Sequence, residues 1–132
     1  MRFLLDTNTC IAVMRHEATA IARMSAVVPM DCAISTITAY ELFTGIAKCA
    51  DPLREGAKVE KLLRTVHKLS FDLAAAGKAG EIRANLEARG LTIGPYDLLL
   101  AGHAVATALV LVTGNTREFS RVGGLRLENW GR

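Results

Sequence analysis

The feature that most constrains this chain lies at its start, in Phe3-Leu4-Leu5-Asp6-Thr7-Asn8. Three apolar residues without alternation predict a short strand buried on both faces, as in a parallel sheet. The run stops at an acid, and Thr7-Asn8 supply turn or helix-capping chemistry. Such a strand delivers Asp6 to its carboxyl end. In an open α/β sheet that edge borders the crevice where ligands bind, and acids from other elements can meet there. Asp6 serves equally well as the N-cap of a following helix, and on this stretch alone the two uses stay open.

The rest of the chain alternates helical and strand patterns. Residues 10–15 read as a short helix and 18–28 as a second, stopped by Pro29. Residues 31–35 read as a strand, and Ser35 or Thr36 caps a helix carrying Ile37, Tyr40, Glu41 and Phe43, with Gly45 inside it or at a kink. Asp51-Pro52 opens another helix, with a stripe of Val59, Leu62, Leu63 and Val66. Residues 68–71 make a short strand. The longest helix starts at Asp72, runs through Ala76, Ala79, Ile82 and Leu86, and ends at Gly90. Gly94-Pro95 breaks the chain before an almost wholly apolar helix over 96–108, which should be buried. Leu109-Val110-Leu111-Val112-Thr113 follows as a strand expected in the middle of the sheet. A turn at Gly114-Asn115, a helical turn over 116–119 and a terminal strand over 125–128 complete the chain. This alternation predicts an α/β fold with a mostly parallel sheet and helices on both faces. No repeat, low-complexity tract or linker interrupts it.

Length and charge narrow the function classes. A chain of 132 residues suggests a single domain, residues 1–132, with room for a real core. No apolar run approaches the roughly 18 residues that span a bilayer. Asp6 interrupts the first apolar stretch too early for a signal peptide. A cytoplasmic protein without membrane association is therefore expected. Sixteen Lys and Arg against 13 Asp and Glu leave a net charge of +3, compatible with a nucleic-acid substrate without requiring one. Cys10, Cys32 and Cys49 form no CxxC pair and read as free thiols in a reducing compartment. His16, His67 and His103 are too dispersed for a zinc signature.

Three acids stand where apolar residues belong. Asp6 ends a buried strand, Glu41 lies between Tyr40 and Leu42, and Asp97 opens the apolar run after Pro95-Tyr96. A fourth, Glu118, follows the strand ending at Thr113. Burying an ionised carboxylate without a partner costs several kcal/mol or forces its protonation. Several such groups are tolerated when they converge on a cation. Oxygen ligands without Cys or His suit Mg²⁺ or Mn²⁺, a setting for phosphoryl transfer. Each acid has a local use as well: Asp97 as an N-cap, Glu41 as partner of a backbone group or an Arg, Glu118 as a solvated surface charge.

Taken in order, Leu5-Asp6-Thr7-Asn8, Thr38-Ala39-Tyr40-Glu41-Leu42, Pro95-Tyr96-Asp97-Leu98-Leu99-Leu100-Ala101-Gly102-His103-Ala104 and Val112-Thr113-Gly114-Asn115-Thr116-Arg117-Glu118-Phe119 resemble the motif set of the PIN-domain family. The closing Gly124-Leu125-Arg126-Leu127-Glu128-Asn129-Trp130 resembles the end of VapC toxins, the ribonuclease half of type II toxin–antitoxin pairs. The resemblance covers essentially the whole chain. It implies a PIN-like three-layer α/β/α sandwich and an endoribonuclease dependent on Mg²⁺ or Mn²⁺. Asp6, Glu41 and Asp97 match the family's core acids and metal ligands. Glu118 matches a fourth acidic position, where many relatives have Asp; its extra methylene lets it act through a water. Asn8, Thr113 and Asn115 match supporting polar positions, while a helix cap, a strand end and a turn are their local alternatives. The resemblance further implies cleavage of tRNA, in some cases initiator tRNA at its anticodon loop. It also implies a VapB-type antitoxin whose tail blocks the acidic cleft, a homodimer, and DNA contact only through the antitoxin.

For RNA binding, the basic residues near motifs or on amphipathic helices are Arg15, Lys48, Arg83 and Arg117, each equally at home as a surface charge. The apolar faces of 10–15 and 37–47 can serve either the core or a partner. His103 lies six residues after Asp97, a rotation of roughly 600°, and reads as a structural histidine on another face. Two rivals remain at this level. One is a catalytically inactive PIN-like binding module, which would have lost core acids. The other is a receiver- or phosphatase-like doubly wound domain, which would use an Asp as covalent nucleophile on its middle strand, whereas the strand read as central here ends in Thr113.

Overall fold

The computed structural model describes residues 1–131. Its strands are β1 (Phe3–Leu5), β2 (Cys32–Ser35), β3 (His67–Leu69), β4 (Val110–Val112) and β5 (Leu127–Glu128). Its helices are α1 (Thr7–Met14), α2 (Ala18–Ser25), α3 (Thr36–Lys48), α4 (Pro52–Thr65), α5 (Leu73–Ala88), α6 (Pro95–Thr107) and α7 (Thr116–Phe119), with a 3₁₀ turn at Pro29–Asp31 before β2. The strands pair in parallel in the order β3-β2-β1-β4-β5. The chain leaves β1 toward one side and returns later on the other. The switch in strand order therefore falls beside β1, and the crevice expected of such a sheet opens at its carboxyl end.

The pleat of β1 assigns the two cores. Phe3 and Leu5 pack with Cys10, Leu42, Val59 and Trp130, under α1, α3 and α4. Leu4 points the other way and packs with Leu86, Leu100 and Ala104, under α5 and α6. Both sets are almost wholly buried, each full-sized aliphatic side chain contributing about 1.5–3 kcal/mol. The result is the three-layer α/β/α sandwich.

The local signals act where the sequence places them. Ser35 Oγ accepts from the Ile37 amide at the start of α3, at 3.1 Å. Asp51 and Asp72 cap α4 and α5 through the amides of Arg54 and Ala75. Gly90 takes the left-handed conformation (φ +69°) that closes α5. Several expectations shift. The helix read over 10–15 begins at Thr7, because Asp6 caps it. The helix read over 18–28 stops at Ser25, and residues 29–31 turn on their own. The strand read over 68–71 is His67–Leu69, and the one read over 125–128 is Leu127–Glu128. On α5 the buried stripe uses Ala75 rather than Ala76, with Ala79 and Leu86. Tyr96 and Ala108 lie exposed at the two ends of the apolar helix; burial runs over Leu100 to Ala104. The run 109–113 is interior but not central: the middle strand is β1, which ends at Asp6.

Candidate active site

Each acid is brought to the carboxyl edge by a different element. Asp6 follows β1, and its backbone amide donates to the carbonyl of Val112 at 3.0 Å, tying the ends of β1 and β4 together. Its carboxylate accepts from the Thr9 amide at 2.8 Å. The two readings of Asp6 thus hold at once: it caps α1 and stands, 7% exposed, at the crevice. Cap bonding fixes the side chain's direction. Thr9 adds a second tie, its hydroxyl donating to the Val112 carbonyl at 3.1 Å.

Glu41 sits one and a half turns into α3. Its Oε1 accepts from the Thr7 hydroxyl at 2.6 Å, which joins α1 to α3 across the crevice. Thr7 is a residue the sequence reading missed. The signal was available: once Asp6 caps a helix, the next residue lies in its first turn, at the same edge.

Asp97 lies in the first turn of α6, but Gly94 is the N-cap, so the capping alternative for Asp97 does not hold. A helix N-terminus favours an ionised carboxylate. Here burial, and then the charges of Asp6, Glu118 and Glu41, outweigh that and raise the Asp97 pKa from 3.8 to about 6. Each of the other three acids acts electrostatically on Asp97. The four are scattered over more than a hundred positions of sequence, yet they share one neighbourhood.

Glu118 is held from below. Its Oε2 accepts from the Asn115 side-chain amide at 2.9 Å. The Asn115 backbone amide in turn donates to the buried Thr113 hydroxyl at 3.0 Å. Thr113 and Asn115 therefore act on the position of Glu118. Asn8 does not join them: it is exposed on α1 and makes no side-chain hydrogen bond among the described residues. His103 is buried away from the acids, its Nδ1 2.9 Å from Ser35 Oγ and its ring edge-on to Phe71. Burial holds its pKa below the usual histidine value.

The donor chemistry fits a hard divalent cation: all the groups are carboxylate oxygens, and their mutual repulsion is what a cation relieves. Among the described residues no three acid, histidine or thiol side chains stand close enough to enclose an ion.

Beside the acids runs a groove of about 470 Å³ between α1, α3 and α4. Ile11, Met14, Leu42 and Ile46 are among its apolar lining; its charged lining is mixed, with Arg15, Arg54 and Lys58 beside Glu41, Asp51 and Glu55. Of the four basic residues singled out from sequence, only Arg15 shares this groove with a site acid. Arg83 pairs with Glu87 at 3.0 Å, while Lys48 and Arg117 are exposed elsewhere. Arg54 was missed, because nothing in its local sequence marks it.

A fold-family comparison bears on this arrangement directly: the PIN domain model matches residues 3–125. The chain belongs to the PIN-domain family. This PIN domain is 40% identical over 130 residues to the tRNA(fMet)-specific endonuclease VapC of Shigella flexneri, covering 98% of each chain. Its fold superposes on a chain of the DNA-bound VapBC complex from Salmonella typhimurium with a TM-score of 0.93, at 40% identity and 98% coverage of both. A VapBC2 complex from Rickettsia felis, bound to a promoter DNA fragment, gives a TM-score of 0.92 at 34% identity, covering 98% of this chain and 99% of that one. Membership of the PIN family displaces the receiver-like reading. No helix among the described residues of this PIN domain is long and apolar enough to cross a membrane.

Proposed function

We propose that the protein is a toxin endoribonuclease that hydrolyses RNA phosphodiester bonds at the Asp6–Glu41–Asp97–Glu118 crevice, with Mg²⁺ or Mn²⁺ as its cofactor. The observation that carries this reading is the placement of the acids: four separate parts of the chain bring Asp6, Glu41, Asp97 and Glu118 to the carboxyl edge, within electrostatic reach of Asp97. PIN nucleases as a class depend on divalent metal. The bound cation would supply an activated water and charge neutralisation at the phosphate. Asp6, Asp97 and Glu41 are the residues proposed to hold it, with Glu118 contributing from one step further out. The protein's own part is placement. The α1 cap bond fixes Asp6, Thr7 fixes Glu41, and the Thr113–Asn115 relay fixes Glu118. Above pH about 6 Asp97 is ionised and available as a ligand.

The name of the Shigella flexneri relative makes tRNA, and initiator tRNA in particular, the proposed substrate class. A hairpin loop is physically suitable, since its unstacked bases and bent backbone are accessible to a cleft. A VapB-type antitoxin is the proposed partner, and the groove leading to Glu41 offers its tail apolar side chains beside charges of both signs. DNA contact would come through that antitoxin. Homodimerisation is part of the proposal, with exposed apolar side chains such as Leu53 and Leu73 available to an interface. The proposed location is the cytoplasm.

Incubating the purified protein with total RNA in Mg²⁺, in Mn²⁺ and in EDTA, and mapping new RNA ends, tests activity, cofactor and substrate together. Discrete metal-dependent cuts in a tRNA loop are expected. RNA left intact in both metals, or cut equally in EDTA, would overturn the reading.

A further inference from the structure

Two tyrosines stand directly beside the acids. Tyr40 precedes Glu41 on α3 and Tyr96 precedes Asp97 on α6. The two residues are 52% and 41% exposed, whereas Leu42 and Leu100 on the same helices are buried. The ring centroids are 5.6 Å apart at an interplanar angle of 59°, and the two hydroxyls are 3.1 Å apart. The tilt prevents the rings from stacking on each other. The hydroxyl contact ties α3 to α6.

Leaving two large aromatic rings in water forgoes the stabilisation that burial gives them. Neither ring is needed by the core, whose two clusters exclude both. Their hydroxyls bond each other, not the acids, so neither tyrosine orients a carboxylate directly. What the pair presents next to the crevice is a neutral, flat, amphipathic surface. That is the chemistry that receives an unpaired nucleobase, whose π-face stacks on aromatic rings without sequence preference.

We infer that Tyr40 and Tyr96 form a stacking platform for an unpaired RNA base next to the scissile phosphate. This rests on the ribonuclease reading above. The charge of Glu41 acts on Tyr96, so the pair lies within electrostatic range of the acids, close enough for one RNA strand to meet both. A second copy of the protein is the other possible occupant. Copies meeting here would set one acidic cluster against another, a juxtaposition of like charge that disfavours it. The platform explains how a crevice lined by acids holds a polyanion: part of the affinity comes from the neutral base.

The test compares wild type, Y40A/Y96A and Y40F/Y96F on a single-stranded RNA the wild type cleaves, measured as KM and kcat. An abasic substitution is introduced on either side of the cut in parallel. The platform predicts a rise in KM of about tenfold or more for Y40A/Y96A, the scale of one lost base stack. It predicts a small effect for Y40F/Y96F, which keeps the rings. It also predicts that one abasic site reproduces the loss in wild type but adds little in Y40A/Y96A. Unchanged KM in Y40A/Y96A would overturn the platform while leaving the nuclease intact. So would a loss that appears only because Y40A/Y96A sediments as a monomer where wild type is a dimer. Absence of cleavage by wild type would instead sink the ribonuclease reading beneath it. Circular dichroism melts check that both double variants fold.

Discussion

The crevice at the carboxyl edge and the seam between α5 and α6 follow opposite rules. At the seam everything is satisfied by contact. A Cβ on Gly102 would lie 2.5 Å from the Ala79 backbone nitrogen and 2.6 Å from its Cα, so only glycine lets the helices come this close. At the crevice the groups stand in tension: four acids lie near enough for three of them to resist ionisation of the fourth. One region is optimised for the folded chain alone. The other leaves like charges facing one another, which is the arrangement the proposed cation would relieve. Helix α6 takes part in both, offering Asp97 in its first turn and Gly102 in its buried middle.

If that contrast is right, substitutions in the two regions should separate activity from stability. The largest effect is expected for Asp6→Asn. Asn caps a helix as well as Asp does, so the melting temperature should hold. RNA cleavage should fall on the order of a thousandfold, the scale of losing a metal-binding charge. A large loss of stability would instead make Asp6 chiefly a cap.

Gly102→Ala should do the reverse. The new methyl meets backbone, which cannot swing aside, and destabilisation of about 3 kcal/mol is expected from denaturant midpoints. Adding Ala79→Gly should not rescue it, because the clash with the Ala79 nitrogen and Cα remains. Full rescue would show that the two helices can slide.

Asp97→Asn sharpens the contrast through pH. The folded pKa of about 6 lies above the ordinary 3.8. The folded state therefore holds the proton more tightly than the unfolded chain does. Stability falls as pH rises from about 4 to about 6, and the cost is constant above that. Removing the charge should inactivate the protein yet stabilise it above pH 6. The gain should be about 1 kcal/mol, since Asp97 is half-buried and solvent screens part of the repulsion. The gain should vanish near pH 4. Melting temperatures against pH for both proteins supply the check.

The smallest effect is expected for Thr7→Val, which removes only the hydroxyl that holds Glu41. About 1 kcal/mol, or several-fold in cleavage rate at unchanged stability, is the anticipated loss. No change in rate would mean that Glu41 is positioned by α3 alone.

Much of this contrast was legible in the sequence, for a physical reason. An acid interrupting an apolar run conflicts locally with burial, and such conflicts mark functional positions. That is how Asp6, Glu41 and Asp97 stand out, and how the caps at Asp51 and Asp72 set helix starts. What escaped was decided by tertiary neighbours. Ala75 and Ala76 are equivalent in composition, and only the approach of α6 chooses between them. Tyr40 and Phe43 look like core residues on an apolar helix, yet both face solvent. Thr7 and Arg54 carry no local conflict that would single them out. The strand ends moved because pairing stops where the neighbouring strand stops. The middle strand was misplaced at 109–113 rather than at β1, since strand order is set by the crossovers and not by a strand's own apolar pattern.

The central claim is that four distant carboxylates share one electrostatic neighbourhood that calls for a cation. The titration of Asp97, followed by carboxyl NMR with and without Mg²⁺, tests it most directly. The account predicts a midpoint near 6 in metal-free protein, lower in Glu41→Gln and Glu118→Gln, and lower again when Mg²⁺ is added to wild type. A midpoint at the ordinary 3.8, indifferent to both neutral variants and to Mg²⁺, would contradict it.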